Sequence, residues 1–152
     1  MSTETRQQLV DHPRLVLANH TQKDDLLDPN KTNTWLVQFM LSLVQSCATP
    51  LLVTALYTDH DPGTWHHPSD QAGRALDCWN ADWASAGDEQ IAKIMETASY
   101  ISCSKKPQLI EVGLSGLSVN YMNSFQWCCD EVFVEDYGRS NEHVHFAVGT
   151  PT

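Results

Sequence analysis

Seven histidines are spread along the chain, and their spacing is what first suggests chemistry. His60, His66 and His67 crowd one stretch, while His143 and His145 stand two residues apart. Residues i and i+2 of a strand share a face, so both of the latter imidazoles can look into one cleft. Zinc enzymes commonly hold their ion with three His, Asp or Glu ligands and leave a fourth position for the water that is activated. Asp77 from one strand, His145 from another and a loop histidine between them would supply such a set without cysteine.

These residues need elements to position them. Trp35, Leu36, Phe39, Met40, Leu43 and Val44 recur at helical spacing, with an N-cap oxygen available from Thr32, Asn33 or Thr34, and the pattern ends before Pro50. Leu51 to Tyr57 is a short apolar run bounded by Pro50 and Asp59 and reads as a buried strand. Thr58 to Ala72 is rich in Asp, His, Pro, Gly and Ser and reads as a loop. Gly73 to Trp79 alternates as a strand does, placing Ala75, Asp77 and Trp79 on one face. A second helix is expected over Asp88 to Ser102, a strand over Leu109 to Leu114 and a helix or helical turn within Ser115 to Trp127. Val132 to Glu135 and His143 to Val148 read as a final antiparallel pair. Before Pro29 the chain is polar, and Leu15 to Ala18 fits either a strand or a packed loop. The order predicts an α+β fold: a small antiparallel sheet with helices packed on one face.

Thr64-Trp-His66, Gly73-Arg-Ala-Leu-Asp77 and Glu142-His-Val-His145 together resemble the M15 family of D,D- and L,D-carboxypeptidases and endolysins, with its S-x-H-x-x-G-x-A-x-D and E-x-x-H motifs. The strand around His143-Val-His145 is also similar to the HxH strand of the related hedgehog and lysostaphin-like zinc folds. The resemblance runs from about Leu51 to Val148 and implies a hedgehog-like or D-Ala-D-Ala-peptidase-like fold. It implies zinc held by His66, Asp77 and His145, with Glu142 as general base and His143 able to hydrogen-bond a developing oxyanion. Asp70 stands where the family's spacing puts the first histidine, so His66, His67 and Asp70 all compete for that role, with His66 preferred because imidazole suits zinc. The implied substrate is a peptide bond in peptidoglycan; the alternative is a non-catalytic relative, metal-binding or structural, that serves as a binding or virion-associated module. Tyr57-Thr-Asp59 stands where many members carry an arginine for a substrate carboxylate, leaving Arg74 and Arg139 as replacements. Asp59, Asp61, Asp82 or Glu135 could orient a ligand histidine, and Trp65, Trp79 and Trp83 could pack on sugar or peptide backbone.

The chain has 152 residues, 41% of them hydrophobic and 18% charged, which suits a single domain over 1–152, with a helical part over 1–48 packed on a motif-bearing core over 49–150. Nine basic against nineteen acidic side chains give a net charge of −10, which disfavours nucleic acid and anionic membranes as partners. Apolar runs fall short of the roughly 20 residues that span a bilayer, and Met1 to Gln8 lacks the features of a secretory signal. The expectation is a product that is cytoplasmic as synthesised and reaches a cell wall by release at lysis or in a virion. Five cysteines without a CxxC pair predict reduced, mostly buried thiols.

Overall fold

The computed structural model describes residues 2–68, 71–81, 88–104, 107–136 and 142–149. Among these residues four α-helices and six strands follow in the order α1 (Thr3–Val10), β1 (Leu15–Leu17), α2 (His20–Leu27), α3 (Thr34–Ser46), β2 (Leu51–Ala55), β3 (Ala75–Asn80), α4 (Asp88–Ser104), β4 (Leu109–Ser115), β5 (Glu131–Asp136) and β6 (Val144–Val148). Short 3-10 turns lie at Tyr57–Asp59 and Gly116–Tyr121. The strands form one sheet in the order β1-β2-β3-β6-β4-β5.

The fold is α+β, but the sheet is mixed. The successive pairs β2–β3, β3–β6 and β6–β4 are antiparallel, while β1 lies parallel to β2 and β5 parallel to β4. The expected final antiparallel pair is therefore corrected: β6 inserts between β3 and β4, and β5 sits at the edge beside β4. A parallel neighbour needs a crossover of a dozen or more residues, which the stretch between Ser115 and Glu131 supplies. Every residue of β6 is buried, as befits a strand covered on both faces.

One face of the sheet meets α3 and α4. Leu76 and Cys78 pair with Phe146 and Val144, so these side chains share that face. Phe39 of α3 meets Phe146 edge to face with centroids 5.4 Å apart. Around them Met40, Leu43, Ile91, Ile94, Met95, Val112 and Leu114 are buried. Helix α3 begins where Asn33 accepts the amide of Trp35. The opposite face carries Asp77, paired with His145, and it is where the chemistry lies.

Other expectations also change. The polar N-terminal stretch forms α1 and α2, each of eight residues and weakly amphipathic, started by Ser2 and Asn19 as N-caps. Such short helices are marginal alone. They are held by buried Leu9 and Leu26 and by Arg6, whose guanidinium donates to the carbonyls of Leu26 at 2.8 Å and Thr32 at 2.9 Å. Leu15–Leu17 is a strand. The helical expectation over Ser115 to Trp127 shrinks to the 3-10 turn Gly116–Tyr121, because Gly116 enters it at φ 60° and Ser118 turns its hydroxyl back onto the amide of Ser115 at 3.0 Å. Cys103 and Cys128 form a disulfide, which corrects the expectation of reduced thiols for this pair; Cys47, Cys78 and Cys129 are free. No helix among the described residues is long and apolar enough to cross a membrane.

Candidate metal centre

Two of the candidate ligands are a cross-strand pair. Asp77 on β3 lies opposite His145 on β6, and Asp77 Oδ1 is 3.2 Å from His145 Nδ1. The third, His66, comes from the loop after β2. Gly73 fixes that loop: its amide donates to the Lys31 carbonyl at 2.9 Å, its carbonyl accepts from Asn33 at 2.9 Å, and the amide of Arg74 donates to Trp65 at 2.7 Å. A Cβ at position 73 would lie 2.3 Å from the His66 carbonyl oxygen, so only glycine lets the histidine loop rest against the start of β3. The G-x-A-x-D spacing is thereby explained in steric terms: Gly73 receives the loop and Asp77, four residues on, meets its histidine.

His66 Nε2 lies 3.0 Å from His145 Nδ1 and 3.2 Å from Asp77 Oδ1. The three atoms form a triangle with edges of 3.0, 3.2 and 3.2 Å. A tetrahedral ion with bonds of about 2.0–2.1 Å separates its ligands by about 3.3 Å, so the triangle has nearly the size of one face of a zinc shell. The planes of His66 and His145 are 57° apart, which allows their lone pairs to converge.

His60, His66 and Asp77 also bring ligand atoms within 4.8 Å of one another, a grouping able to hold a metal ion. His60 Nε2 lies 3.2 Å from Asp77 Oδ2, on the oxygen that His66 and His145 leave open. Its ring stacks on His66 with centroids 3.7 Å apart and planes within 10°. An ion in the plane of one ring then lies out of the plane of the other and off its lone pair. In this geometry His60 suits the role of hydrogen-bond donor that orients Asp77 better than that of a fourth ligand beside His66.

His67 is engaged elsewhere. Its Nδ1 donates to the carbonyls of Tyr57 at 3.0 Å and His60 at 3.1 Å, and its ring stacks on Tyr57. It ties the loop together. Asp70 lies outside the described residues, as do Asp82, Trp83 and Arg139.

Burial opposes charge on Asp77, but hydrogen bonds from His145, His60 and His66 outweigh it and hold the carboxyl far below the usual carboxylate range. Burial pushes His66 down and outweighs the pull of Asp77, so this imidazole is neutral at pH 7. Burial also acts against charge on His145, yet Asp77 and Glu111 raise it above the ordinary value. Glu111 on β4 is 3.0 Å from His145 Nε2. A carboxylate can only accept, so the charged His145 donates from Nε2 to Glu111 and from Nδ1 to Asp77, and when one proton leaves, Glu111 can hold the other at Nε2 and free the Nδ1 lone pair for an ion. This carboxylate-histidine arrangement is the support that metal-binding histidines ordinarily have. His66 Nδ1, by contrast, is buried with no hydrogen-bond partner among the described residues.

His143, two residues before His145, shares its face and reaches a different carboxylate. Its Nε2 pairs with Glu135 of β5, while its Nδ1 lies 3.1 Å from Ser115 Oγ and its amide donates to the same hydroxyl at 3.0 Å. Both ring nitrogens are thus engaged. Gly113 makes room for the pair: a Cβ there would lie 2.9 Å from Glu135 Oε1 and 3.0 Å from the Phe133 ring. Glu142 is placed differently from what the resemblance implies. It does not line the cleft, and its side chain packs on Gly116, where a Cβ would come within 2.3 Å of Glu142 Cγ.

These groups line a cleft of about 580 Å³, bounded by the His60–His66 loop on one side and by β4, β5 and β6 on the other. Trp65 forms part of its wall and is 39% exposed, whereas Trp79 is in the core. Arg74 does not line the cleft; its guanidinium Cζ lies over the ring of Trp35 and over that of Trp65. Of the carboxylates suggested to orient a ligand histidine, Asp59 instead accepts from the amide of Leu56 at 2.9 Å and from Asn19 and Gln22. Sequence reasoning missed Glu111. Its signal was a carboxylate inside the apolar run Leu109-Ile-Glu-Val-Gly-Leu114, which has no reason to be there unless it has a partner. Comparison with protein-family models, curated proteins and solved structures gives no significant match.

Proposed function

We propose that the chain is a zinc-dependent peptidase that cleaves a peptide bond in peptidoglycan. The observation that carries the reading is the triangle of His66 Nε2, Asp77 Oδ1 and His145 Nδ1, with the dimensions of a tetrahedral face and a cleft in front of it. The donor set of two imidazoles and one carboxylate is that of a hydrolytic zinc site with one position left open. When bound, zinc would supply Lewis acidity, polarising a carbonyl and making water acidic enough to lose a proton near neutral pH.

The rest falls to the chain's own groups. Glu111 would hold the remaining proton on His145 Nε2 once zinc displaces the one at Nδ1, leaving Nδ1 as the ligand atom. His60 donates to Asp77 Oδ2 and leaves Oδ1 for coordination. Glu135, partly exposed and held through one oxygen by His143, is the cleft carboxylate engaged neither in the triangle nor with His145. In this reading Glu135 takes the proton of the attacking water and delivers it to the leaving amine, the role that the resemblance gives Glu142. His143 fixes the Glu135 carboxylate and, when protonated, offsets charge that develops nearby.

The position of Glu142 outside the cleft favours a second reading, a metal-binding relative without hydrolytic activity. One experiment separates the two. Zinc content after dialysis and hydrolysis of purified peptidoglycan are measured for wild type, Glu135→Gln and Glu142→Gln. Stoichiometric zinc throughout, with cleavage lost in Glu135→Gln and kept in Glu142→Gln, supports the enzyme as drawn. Zinc without cleavage of any peptidoglycan chemotype by wild type supports the binding module. No zinc in wild type sinks both.

A further inference from the structure

Trp65 is an exposed indole with unusual support. Large aromatic side chains are normally buried, and of the large apolar residues exposed in the described structure only Val16, Trp65 and Tyr100 stand out. Trp65 alone of these lines the cleft. It cannot readily withdraw: its neighbour His66 is buried in the metal centre, its carbonyl accepts the Arg74 amide at 2.7 Å, and the turn behind it is closed by Gly63 donating to His67 at 2.9 Å. The guanidinium of Arg74 backs it, with Cζ 5.9 Å from the Trp65 centroid and 5.4 Å from that of Trp35. Nε of Arg74 is buried with no hydrogen-bond acceptor among the described residues, and the contacts of the guanidinium are with the two ring faces. Arg74 thus contacts the faces of both Trp35 and Trp65, and Trp65 is the one of the two rings that lines the cleft.

An exposed ring on a pinned backbone, backed by a guanidinium, is suited to stack on a ligand at reduced ordering cost. The surroundings select the ligand. Among the described residues no Lys or Arg lines the cleft, and Asp77, Glu111 and Glu135 do, so a polyanion is disfavoured there. Thr64, exposed beside Trp65, adds a hydroxyl. An apolar face bordered by hydrogen-bonding groups complements a neutral pyranose, which has a C–H face and a rim of hydroxyl and amide groups. We infer that Trp65 is a saccharide-binding subsite, a platform for an N-acetylated hexosamine ring next to the metal centre. This deepens the peptidoglycan reading and rests on it for the choice of sugar, but the binding it requires is independent of turnover.

The test is titration of chitotriose into the metal-free and zinc-loaded protein, followed by intrinsic tryptophan fluorescence and by calorimetry. Wild type should show saturable binding in both forms. Trp65→Ala should weaken it by about tenfold or more, since stacking contributes beyond buried area alone. Trp65→Phe, which keeps a ring, should retain part of the affinity. Arg74→Lys, which keeps the charge but loses the flat guanidinium, should weaken binding while leaving zinc content unchanged, as expected of a positioning residue. Circular dichroism and zinc content report whether each variant is folded. If wild type shows no saturable change, or if folded Trp65→Ala binds as wild type does, the inference is overturned. Binding lost in Trp65→Ala by a protein that cleaves no peptidoglycan would uphold the subsite and remove the hydrolase reading; cleavage without chitotriose binding would do the reverse.

Discussion

Replacing Glu111 by alanine removes a group that touches no ion in the proposed site, yet the geometry makes metal affinity depend on it. His145 Nε2 lies 3.0 Å from Glu111 Oε1, and this bond favours keeping the proton on Nε2 when His145 is neutral, so that Nδ1 can coordinate. Without it, neutral His145 can move its proton to Nδ1 and donate to Asp77 Oδ1 at 3.2 Å, which blocks one corner of the triangle. Losing such a support typically costs 10- to 100-fold in metal affinity, or about 1.4–2.7 kcal/mol. Glu111→Ala should fall in that range. Glu111→Gln, which keeps an acceptor oxygen but no charge, should lose less than about tenfold. The assay is competition for zinc against a chromophoric chelator at fixed pH, with thermal unfolding as a control for folding. If folded Glu111→Ala binds zinc as tightly as wild type, the assignment of Nδ1 as the ligand atom is wrong.

Gly73→Ala sets a Cβ 2.3 Å from the His66 carbonyl, and since neither is the end of a flexible side chain the loop must move. We expect a stability loss of about 1–3 kcal/mol by denaturant unfolding, together with weakened zinc uptake, because His66 is displaced with its loop. The raised pKa of His145 has opposite consequences for the metal-free and metal-bound protein. In the metal-free protein the charged His145 stabilises the fold below its unfolded value of about 6.5, and this contribution is lost as pH rises through the higher folded value, so the stability gap between wild type and His145→Gln should narrow on going alkaline. Zinc must displace that proton, so its affinity should strengthen with rising pH by up to about tenfold per unit until His145 is neutral; a flat profile across this range would refute the coordination by His145. Reduction of Cys103–Cys128, whose partners are 25 residues apart in sequence, should cost about 2–4 kcal/mol of stability, read as a lower melting temperature with dithiothreitol that Cys103→Ala does not show.

The sequence disclosed the parts of this site that depend on local spacing. A period of two put His143 and His145 on one face, the composition after Asp59 marked a loop, and Gly73-x-Ala-x-Asp77 stood where a strand begins. Helix α3 was equally legible, because six buried apolar residues repeat on one side of it. The N-terminal helices were not. Their stability comes from the insertion of Leu9, Leu26 and Arg6 into neighbouring elements rather than from an amphipathic pattern. The choice among His66, His67 and Asp70 also exceeded local information. His67 differs from His66 only in facing the Tyr57 and His60 carbonyls, and the turn at Gly63 and Thr64 determines which of the two faces inward.

Strand order decided the remaining assignments. If β5 and β6 were paired, Glu135 would be directly beside the HxH strand and Glu111 would have no part in the site. With β6 between β3 and β4, His145 instead has Asp77 on one side and the residues of β4 on the other, with Gly113 directly opposite it and Glu111 two positions along. Gly113 is then the position where a side chain would stand between His143 and the next strand, and its missing Cβ lets Glu135 reach across β4 to His143. Each histidine of the HxH pair thus acquires its own carboxylate, Glu111 for His145 and Glu135 for His143, from strands distant in sequence. The neighbouring Glu142, which proximity in sequence suggested, is turned aside because Gly116, at φ 60°, opens a space that its side chain fills. An acid placed beside a histidine in sequence is therefore a poor guide to the acid that serves it in this fold. The glycines at 73, 113 and 116, by the neighbours they admit, specify which side chains reach the site.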